Sequence, residues 1–529
     1  MPDIAPLPAD WALSAVFMHV DVRGVYDSNG DGIGDLPGLT AKLDHFAQAG
    51  IGALLLAGLL PCDFAYAGTM VTDNYSVDPR LGGLADVAAL MQAAHARGLA
   101  ILMVWSPFST HPDHPAFQAS RDPAHPVHAA YADYYLWTDD LNTRLPRRMG
   151  HWEWDARRGA YHHCVWLTTD LRWCPEVNLL SPRARAENLN GLRFWLEQGL
   201  DGFMLDCAVW GGFTDQAEHV RASREMADLI HSYPNKWVIS EGSRSIQDAI
   251  LTDGYDSFYT HQARSVPILE TVFRRPGLGT LVQTFEGMEA HGLHEALYAF
   301  YDDPHANQIM NPFELTRPLD FADPADRARL KLAHALHLTL PLIPYTFFPA
   351  HLGLTPAYRQ DLTRWHPFLM LWDDSPHFGF TRGVPYEPQN VERYPPAAAA
   401  ASQAQDPDSV LAAFQAVARL RQRRPALQSR HHAGRSYARV PTRNDRDTLA
   451  YLRYDPDTGQ AVLVAANLAG APQAMTLGFG RSRRVLEMLG PRRHLTHLAG
   501  GGPPELTCAA DHQAGLSLPA YAYALYDVD

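Results

Sequence analysis

Gly199-Leu-Asp-Gly-Phe-Met-Leu-Asp206-Cys-Ala-Val209 is an apolar, strand-like run that follows a helix-patterned segment and carries an acid, Asp206, near its end. A buried carboxylate is costly unless it is paired, so an acid there reads as a working group placed where a strand leaves the core. Similar short apolar runs recur along the chain: Ser14–Val20, Gly52–Leu60, Ala100–Phe108, Gly202–Val209, Trp237–Gly242, Ser257–His261, Ala296–Asp303 and Leu340–Pro349. Most are separated by helix-period stretches such as Leu84–Arg97 and Ala184–Gln198. That alternation predicts parallel strands joined by helices, an α/β chain whose simplest closed form is a (β/α)8 barrel. Reactive groups of such a barrel sit at the C-terminal ends of the strands, where the loops meet. Asp206, Glu241 and the Asp302-Asp303 pair end the fourth, fifth and seventh runs, so their carboxylates are expected to converge on one mouth.

The chain has 529 residues, 46% of them hydrophobic and 10% aromatic, which is enough for a barrel with one or two smaller domains. A formal charge of −14 argues against a nucleic acid or an anionic membrane face as partner. Met1–Pro8 has no basic segment leading into an apolar one, and no run reaches the roughly 20 apolar residues of a membrane span, so a soluble cytoplasmic protein is expected. The five cysteines, at positions 62, 164, 174, 207 and 508, are odd in number and lack paired spacing, which predicts free buried thiols.

The barrel is expected over residues 1–108 and 176–430. Between its halves, 109–175 is too long for a strand-to-helix loop and reads as an inserted subdomain B after the third strand, shaping access to the mouth. Pro395-Pro-Ala-Ala-Ala-Ala-Ala401 reads as loop or linker, and Ser409–Gln422 as a helix. Alternating segments such as Leu449–Tyr454, Ala461–Ala466 and Tyr521–Tyr526 predict an antiparallel β domain over 431–529. His111, His114, His162 and His163 fall in the insertion and are read as surface or rim residues rather than as a metal cluster. Trp105, Phe108, Trp152 and Trp210 are read either as ligand-stacking platforms or as packing.

Near the N-terminus, Asp27-Ser-Asn29-Gly-Asp31-Gly32-Ile33-Gly34-Asp35 places oxygen-bearing side chains at alternate positions around glycines. Asp27, Asn29, Asp31, Asp35 and the Ile33 carbonyl could together surround a calcium ion, in a structural role at the first strand-to-helix connection. The loop is not an EF-hand, because Gly38 stands where that motif needs a bidentate glutamate.

These pieces together resemble glycoside hydrolase family 13, the α-amylase family, and within it the oligo-1,6-glucosidase and trehalose synthase branch. The resemblance rests on Tyr26–Asp35, Asp73-Asn-Tyr-Ser-Val-Asp-Pro79, Tyr134-Tyr-Leu-Trp-Thr-Asp139, Trp152-Glu-Trp-Asp155, Gly199–Asp206, Leu371-Trp-Asp-Asp-Ser-Pro376 and Gly379-Phe-Thr381. It implies a TIM barrel, a saccharide substrate, Asp206 as nucleophile, Glu241 as acid/base and Asp303 as the acid that stabilises the transition state. A retaining glycosidase needs two carboxyls about 5 Å apart, one to attack carbon and one to protonate the leaving oxygen.

Against the family pattern, the sugar-binding positions have changed. Met204 stands two residues before the nucleophile in place of an arginine, and side chains at i and i+2 of a strand share a face. Thr69-Met70 replaces a Tyr-Asp pair. Val104, Phe108 and Ser109 replace Asp, Asn and His, and Tyr301 and Asp302 replace the Asn-His before the third acid. Cys174-Pro-Glu-Val-Asn178 replaces Gln-Pro-Asp-Leu-Asn. The resemblance therefore implies an altered first-sugar subsite containing Met70, Phe108, Met204 and Asp302. Two functions fit: a retaining α-glucosidase or transglucosidase, and a non-catalytic binding or scaffold protein on the same fold.

Overall fold

The structure is a computed structural model that describes residues 6–62, 69–141, 150–167, 172–206, 216–241, 254–259, 272, 320–354, 368–386, 394–431 and 433–529. In chain order its first strands are β1 Phe17–Asp21, β2 Ala53–Ala57 and β3 Ala100–Trp105, followed by β4 Trp137–Thr138, β5 His151–Asp155, β6 Ala160–Leu167 and β7 Trp173–Pro175. Strands β8 Gly202–Leu205, β9 Trp237–Glu241, β10 Ser257–Tyr259 and β11 Tyr345–Phe347 follow. Seven of these form one parallel sheet in the order β10-β9-β8-β3-β2-β1-β11. The last described barrel strand pairs with the first, Phe17 opposite Tyr345, which is how a sheet closes on itself. The run Ala296–Asp303, with Asp302 and Asp303, lies outside the described residues.

Alternation along each strand separates two cores. Val16, Met18, Leu54, Leu56, Ile101, Met103, Phe203, Leu205 and Val238 pack outward with the helices. Phe17, Ala53, Leu55, Ala100, Leu102, Met204, Ile239, Tyr345 and Phe347 fill the barrel interior. This period of two is what a parallel barrel requires, since one face meets the helices and the other the axis.

The helices that cover the sheet begin where local chemistry starts them. Ser181 accepts from Ala184 N before Pro182–Glu197, Asp323 accepts from Ala325 N before Pro324–Thr339, and Ser409 accepts from Ala412 N before Val410–Arg423. Two of these helices also have proline in the first turn, where its missing N–H costs nothing. The Pro395–Ala401 stretch is not an open linker. Ala398, Ala399 and Ala400 are buried, Ala400 N donates to Leu371 O at 2.8 Å, and Ala400–Gln405 is helical. Alanine has the highest helix propensity and lets backbones approach closely, which outweighs the loop signal of the two prolines.

Strands β4 to β7 form a four-stranded sheet inside the insertion, whose ends meet through a bridge between Ser109 and Glu176. Beyond the barrel come β12 Tyr437–Arg439, β13 Thr448–Tyr454, β14 Ala461–Asn467, β15 Gln473–Gly478, β16 His494–Gly500, β17 Glu505–Thr507, β18 Gln513–Leu518 and β19 Tyr523–Val528. They make a six-stranded antiparallel sheet, β12-β13-β14-β19-β16-β17, and a β15-β18 pair around a separate apolar core. Two buried arginines organise the junction with the barrel, Arg421 from within the barrel segment and Arg453 from β13 across to it. Arg421 donates to Leu427 O at 2.5 Å and to Ser429 Oγ at 2.6 Å, while Arg453 reaches Thr339 O at 2.5 Å and Gln428 O at 2.9 Å. Cys62, Cys164, Cys174 and Cys508 are free thiols, and Cys207 lies outside the described residues.

Candidate active site

Asp206 stands one residue past β8, at the mouth. Its N–H donates to Trp105 O at 2.8 Å and so continues the β3–β8 ladder beyond the strand. Met204 lies in the interior cluster, and Asp206 follows it by the two residues that return a strand to the same face. Asp206 is buried, 9% exposed. At the other end of β8 a Cβ on Gly202 would lie 1.9 Å from Trp237 O, so only glycine allows β8 and β9 to approach this closely.

Glu241 is the last residue of β9, which is registered on β8 through Met204 opposite Ile239 and Leu205 opposite Ser240. Continued by one step, that register makes 206 and 241 the next facing pair at the mouth. The expected roles of Asp302 and Asp303 fall outside the described residues.

Met204, two residues before Asp206, is a packing residue. It is 3% exposed, and Tyr345 Oη donates to its Sδ at 3.6 Å. Val104, Ile239 and Phe347 belong to or pack on the same cluster, so the floor beneath Asp206 is apolar.

Met70 and Phe108 lie on the rim formed by the loops after β2 and β3. Met70 is fully buried, with Cys174 Sγ 3.0 Å from its Sδ. Phe108 is 2% exposed, and its carbonyl accepts from Val177 N at 2.6 Å. His111 N donates to Val71 O at 3.0 Å, so the rim loops and the end of the insertion are stitched together by backbone. Beneath them Glu176, 1% exposed, is hydrogen-bonded through Oε2 to His163 Nδ1.

His111, His114, His162 and His163 are buried, not surface residues, and each has its own local role. His111 Nδ1 accepts from Asp113 N, and His114 Nδ1 accepts from Ala116 N and caps the helix Pro115–Arg121. The His162 ring lies between Phe117 and Trp137, with centroids 5.1 and 5.3 Å away. Burial pushes the imidazoles of His114 and His162 down to about 4, so both are neutral near pH 7. Trp105 is no sugar platform: it faces the helices, 1% exposed, and donates to Asn188 Oδ1 at 3.0 Å. Trp210 lies outside the described residues.

A charge pair that the sequence reading does not include stands at the mouth end of β1. Asp21 shares the interior face with Phe17, and Arg23 grips it with Nε–Oδ1 at 2.8 Å and a second guanidinium nitrogen at 2.5 Å from Oδ2. Burial opposes the Arg23 charge, but Asp21 more than restores it, so the guanidinium is held above its ordinary pKa. The signal was the one used for Asp206, an acid closing an apolar run.

In the acidic loop, side chains fold onto backbone. Asp27 accepts from Gly30 N and Gly32 N, both at 2.7 Å, and from Thr381 Oγ1. Asn29 accepts from Asp31 N at 2.9 Å and Asp31 from Ile33 N at 2.9 Å. Asp35 accepts from Ser28 Oγ at 2.8 Å and Gly38 N at 2.6 Å. Gly32 is required twice, by its φ of +92° and because a Cβ would lie 2.1 Å from Val384 O. Asp27 and Asp35 are buried, each 2% exposed, and the partners named for them are neutral. Asn29 N also donates to Asp27 Oδ1 at 3.2 Å and Ser28 N to Asp35 Oδ2 at 3.1 Å, so among these four oxygens Asp35 Oδ1 alone keeps a single donor, and a cation would have to displace some of the backbone bonds.

The model of the alpha amylase catalytic domain matches residues 23–246. Alpha-amylase 3 of Dictyoglomus thermophilum is 28% identical over 366 residues, 69% of this chain and 68% of that protein. The trehalose synthase/amylase TreS of Mycobacterium tuberculosis is 27% identical over 89% of this chain and 85% of its own length. A probable alpha-glucosidase of Rhizobium meliloti reaches 35% identity over a shorter span, 37% of this chain and 36% of that one. Among solved structures, the trehalulose synthase MutB of Pseudomonas mesoacidophila superposes with a TM-score of 0.74 at 24% identity, over 99% of this chain and all of that one. A MutB mutant in complex with the substrate sucrose gives 0.76 at 23%, over 99% and 100%. Those likenesses establish the fold, and the sequence match identifies residues 23–246 as an alpha amylase catalytic domain.

Proposed function

We propose that the chain acts on α-glucosides or short α-glucans by a retaining double displacement, as an α-glucosidase or a transglucosidase. Asp206 attacks the anomeric carbon, Glu241 protonates the leaving oxygen and then activates the incoming hydroxyl, and Asp303 stabilises the positive charge of the transition state, with Asp302 at the sugar. One observation carries this reading. The register of β8 on β9 runs to Leu205 opposite Ser240, so that one further step sets 206 opposite 241, and neighbouring strands lie about 4.8 Å apart. That spacing suits the roughly 5 Å separation of a retaining pair. Relatives named trehalose synthase and alpha-glucosidase, and a neighbour solved with sucrose, support a saccharide substrate.

The first-sugar subsite is remodelled on this reading. Met70, Phe108 and Met204 present buried apolar surface where the family binds the sugar through polar groups. Hydrogen bonds that strengthen in the transition state contribute several kcal/mol, so the preferred substrate differs from those of the relatives.

Turnover of maltose, isomaltose, trehalose, sucrose and p-nitrophenyl α-glucoside by the purified protein, beside Asp206→Asn and Glu241→Gln, tests the proposal. Activity abolished in both variants supports it. Saccharide binding without turnover across the panel would overturn it in favour of a non-catalytic amylase-fold binding protein, a reading that the burial of Met70, Phe108 and Met204 favours.

We further propose a structural calcium ion held by Asp27, Asn29, Asp31, Asp35 and the Ile33 carbonyl. The buried carboxylates of Asp27 and Asp35, with neutral partners, support it. Calcium should raise Tm and chelation lower it, and Asp27→Asn should remove the difference. A melting curve indifferent to both additions sinks this assignment.

A further inference from the structure

Among the described residues, two places bring three metal-ligating side chains together with ligand atoms within 4.8 Å of one another: His151, Glu153 and Cys164, and His431, Asp455 and Asp457. In the first, His151 Nε2 and Glu153 Oε2 are 3.8 Å apart, and burial pushes the Cys164 thiol above its ordinary range, against the thiolate that a metal needs. The second is differently built.

We propose that His431, Asp455 and Asp457 form a binding site for a divalent transition-metal ion of the zinc class. His431 follows the last barrel helix, Asp455 is the first residue after β13, and Asp457 lies in the turn that leads to β14. His431 Nε2 is 3.0 Å from Asp455 Oδ1 and 3.2 Å from Asp457 Oδ2. Two donors each about 2.0–2.1 Å from one metal are separated by roughly 2.8–3.4 Å, from octahedral to tetrahedral angles. Both distances fall in that interval.

Hydrogen bonding does not account for the arrangement. His431 Nε2 and Asp455 Oδ1 are shielded from solvent and, near as they are, make no hydrogen bond to each other or to any other described group. Asp455 is 1% exposed, and its other oxygen accepts from Thr458 N at 3.0 Å and from Thr458 Oγ1, which fixes the carboxylate with Oδ1 turned to the imidazole. The Asp457 side chain is 72% exposed, which leaves coordination positions open to water.

One imidazole and two carboxylates form a borderline-to-hard donor set, suited to zinc or manganese and unlike the all-oxygen shell of calcium. The site lies on the face opposite the mouth. Just before His431, Ser429 N donates to Leu13 O at 2.9 Å and Arg430 pairs with Asp10 at 2.8 Å, both ahead of β1. An ion there clamps the segment leaving the barrel to the β13–β14 turn of the C-terminal domain, apart from the chemistry.

The test is calorimetric titration of Zn²⁺ into full-length protein stripped with chelator, in excess calcium so that the acidic loop does not compete. One zinc per chain is expected, with affinity reduced at least about tenfold in His431→Gln and in Asp457→Ala. The wild-type Tm should rise on adding zinc while the Tm of neither variant does, and sugar turnover should be the same in all three. Asp457 is exposed, so its variant keeps the fold, checked by equal Tm without zinc. Absence of zinc binding, or binding unaffected by both substitutions, overturns the site and leaves an ordinary histidine–aspartate ion pair.

Discussion

Strands β1 and β8 both end an apolar run in an acid at the mouth, yet the two acids have opposite surroundings. Asp21 is held by the buried guanidinium of Arg23, whereas Asp206 stands two residues beyond Met204, whose sulfur packs on Tyr345. A carboxylate tied to a permanent cation by two hydrogen bonds is fixed in charge and direction. Among the described residues Asp206, set over an apolar floor, has no such ion pair. Position at a strand end therefore does not by itself make an acid available for chemistry; its partner decides.

If this distinction is right, the two acids respond differently to substitution. Asp206→Asn should reduce turnover by at least about a thousandfold, the scale expected when a covalent nucleophile is lost, with little change in the urea midpoint. Comparable turnover in the variant would mean that Asp206 is as structural as Asp21. Arg23→Ala should leave the Asp21 charge buried and unmatched, at a cost of roughly 3–5 kcal/mol in equilibrium unfolding. A loss below about 1 kcal/mol would show that solvent replaces the guanidinium.

The rim offers a third way to settle a charge, by burial alone. His114 is held down to about 4 by burial, below its unfolded value near 6.5. The unfolded chain therefore binds the extra proton between those values, so this contribution is complete above pH 6.5 and fades as pH falls toward 4. It amounts to roughly 3 kcal/mol at most. His114→Asn keeps a helix-capping acceptor and should flatten the fall in Tm between pH 6.5 and 4.5; an unchanged slope would place the acid sensitivity elsewhere. The mildest change is Met204→Leu, which conserves volume in the floor and should cost less than about 1.5 kcal/mol. A larger loss in thermal unfolding would show that the sulfur contact with Tyr345 is specific.

Much of this fold was legible because hydrophobic period survives in sequence. The runs at Ser14–Val20, Gly52–Leu60, Ala100–Phe108, Gly202–Val209, Trp237–Gly242 and Ser257–His261 correspond to strands in the expected order, and Leu340–Pro349 contains β11. Several runs were drawn too long at the mouth. Leu59, Leu60 and Phe108 are buried loop residues, and burial without a ladder looks the same in sequence as a strand. The linker reading of Pro395–Ala401 failed for a related reason: proline marks a turn, while the packing that follows is set by Leu371 and Trp372, far away in the chain. At the site, Asp206 was legible as an acid in an apolar run, and Met204 as its neighbour by strand alternation. The Asp21–Arg23 grip was passed over although both residues lie within three positions.

The sequence by itself determined the order of strands and helices, the position of Asp206 at a strand end and the oxygen-rich turn at Asp27–Asp35. These depend on spacing along one chain, and periods of two and 3.6 residues are local properties of the backbone. Only the tertiary structure decided that Met204 meets Tyr345, that Met70 meets Cys174, and that His431 converges with Asp455 and Asp457. Each of these contacts joins segments with no local period in common, and which distant groups share a buried space is settled by how the elements pack.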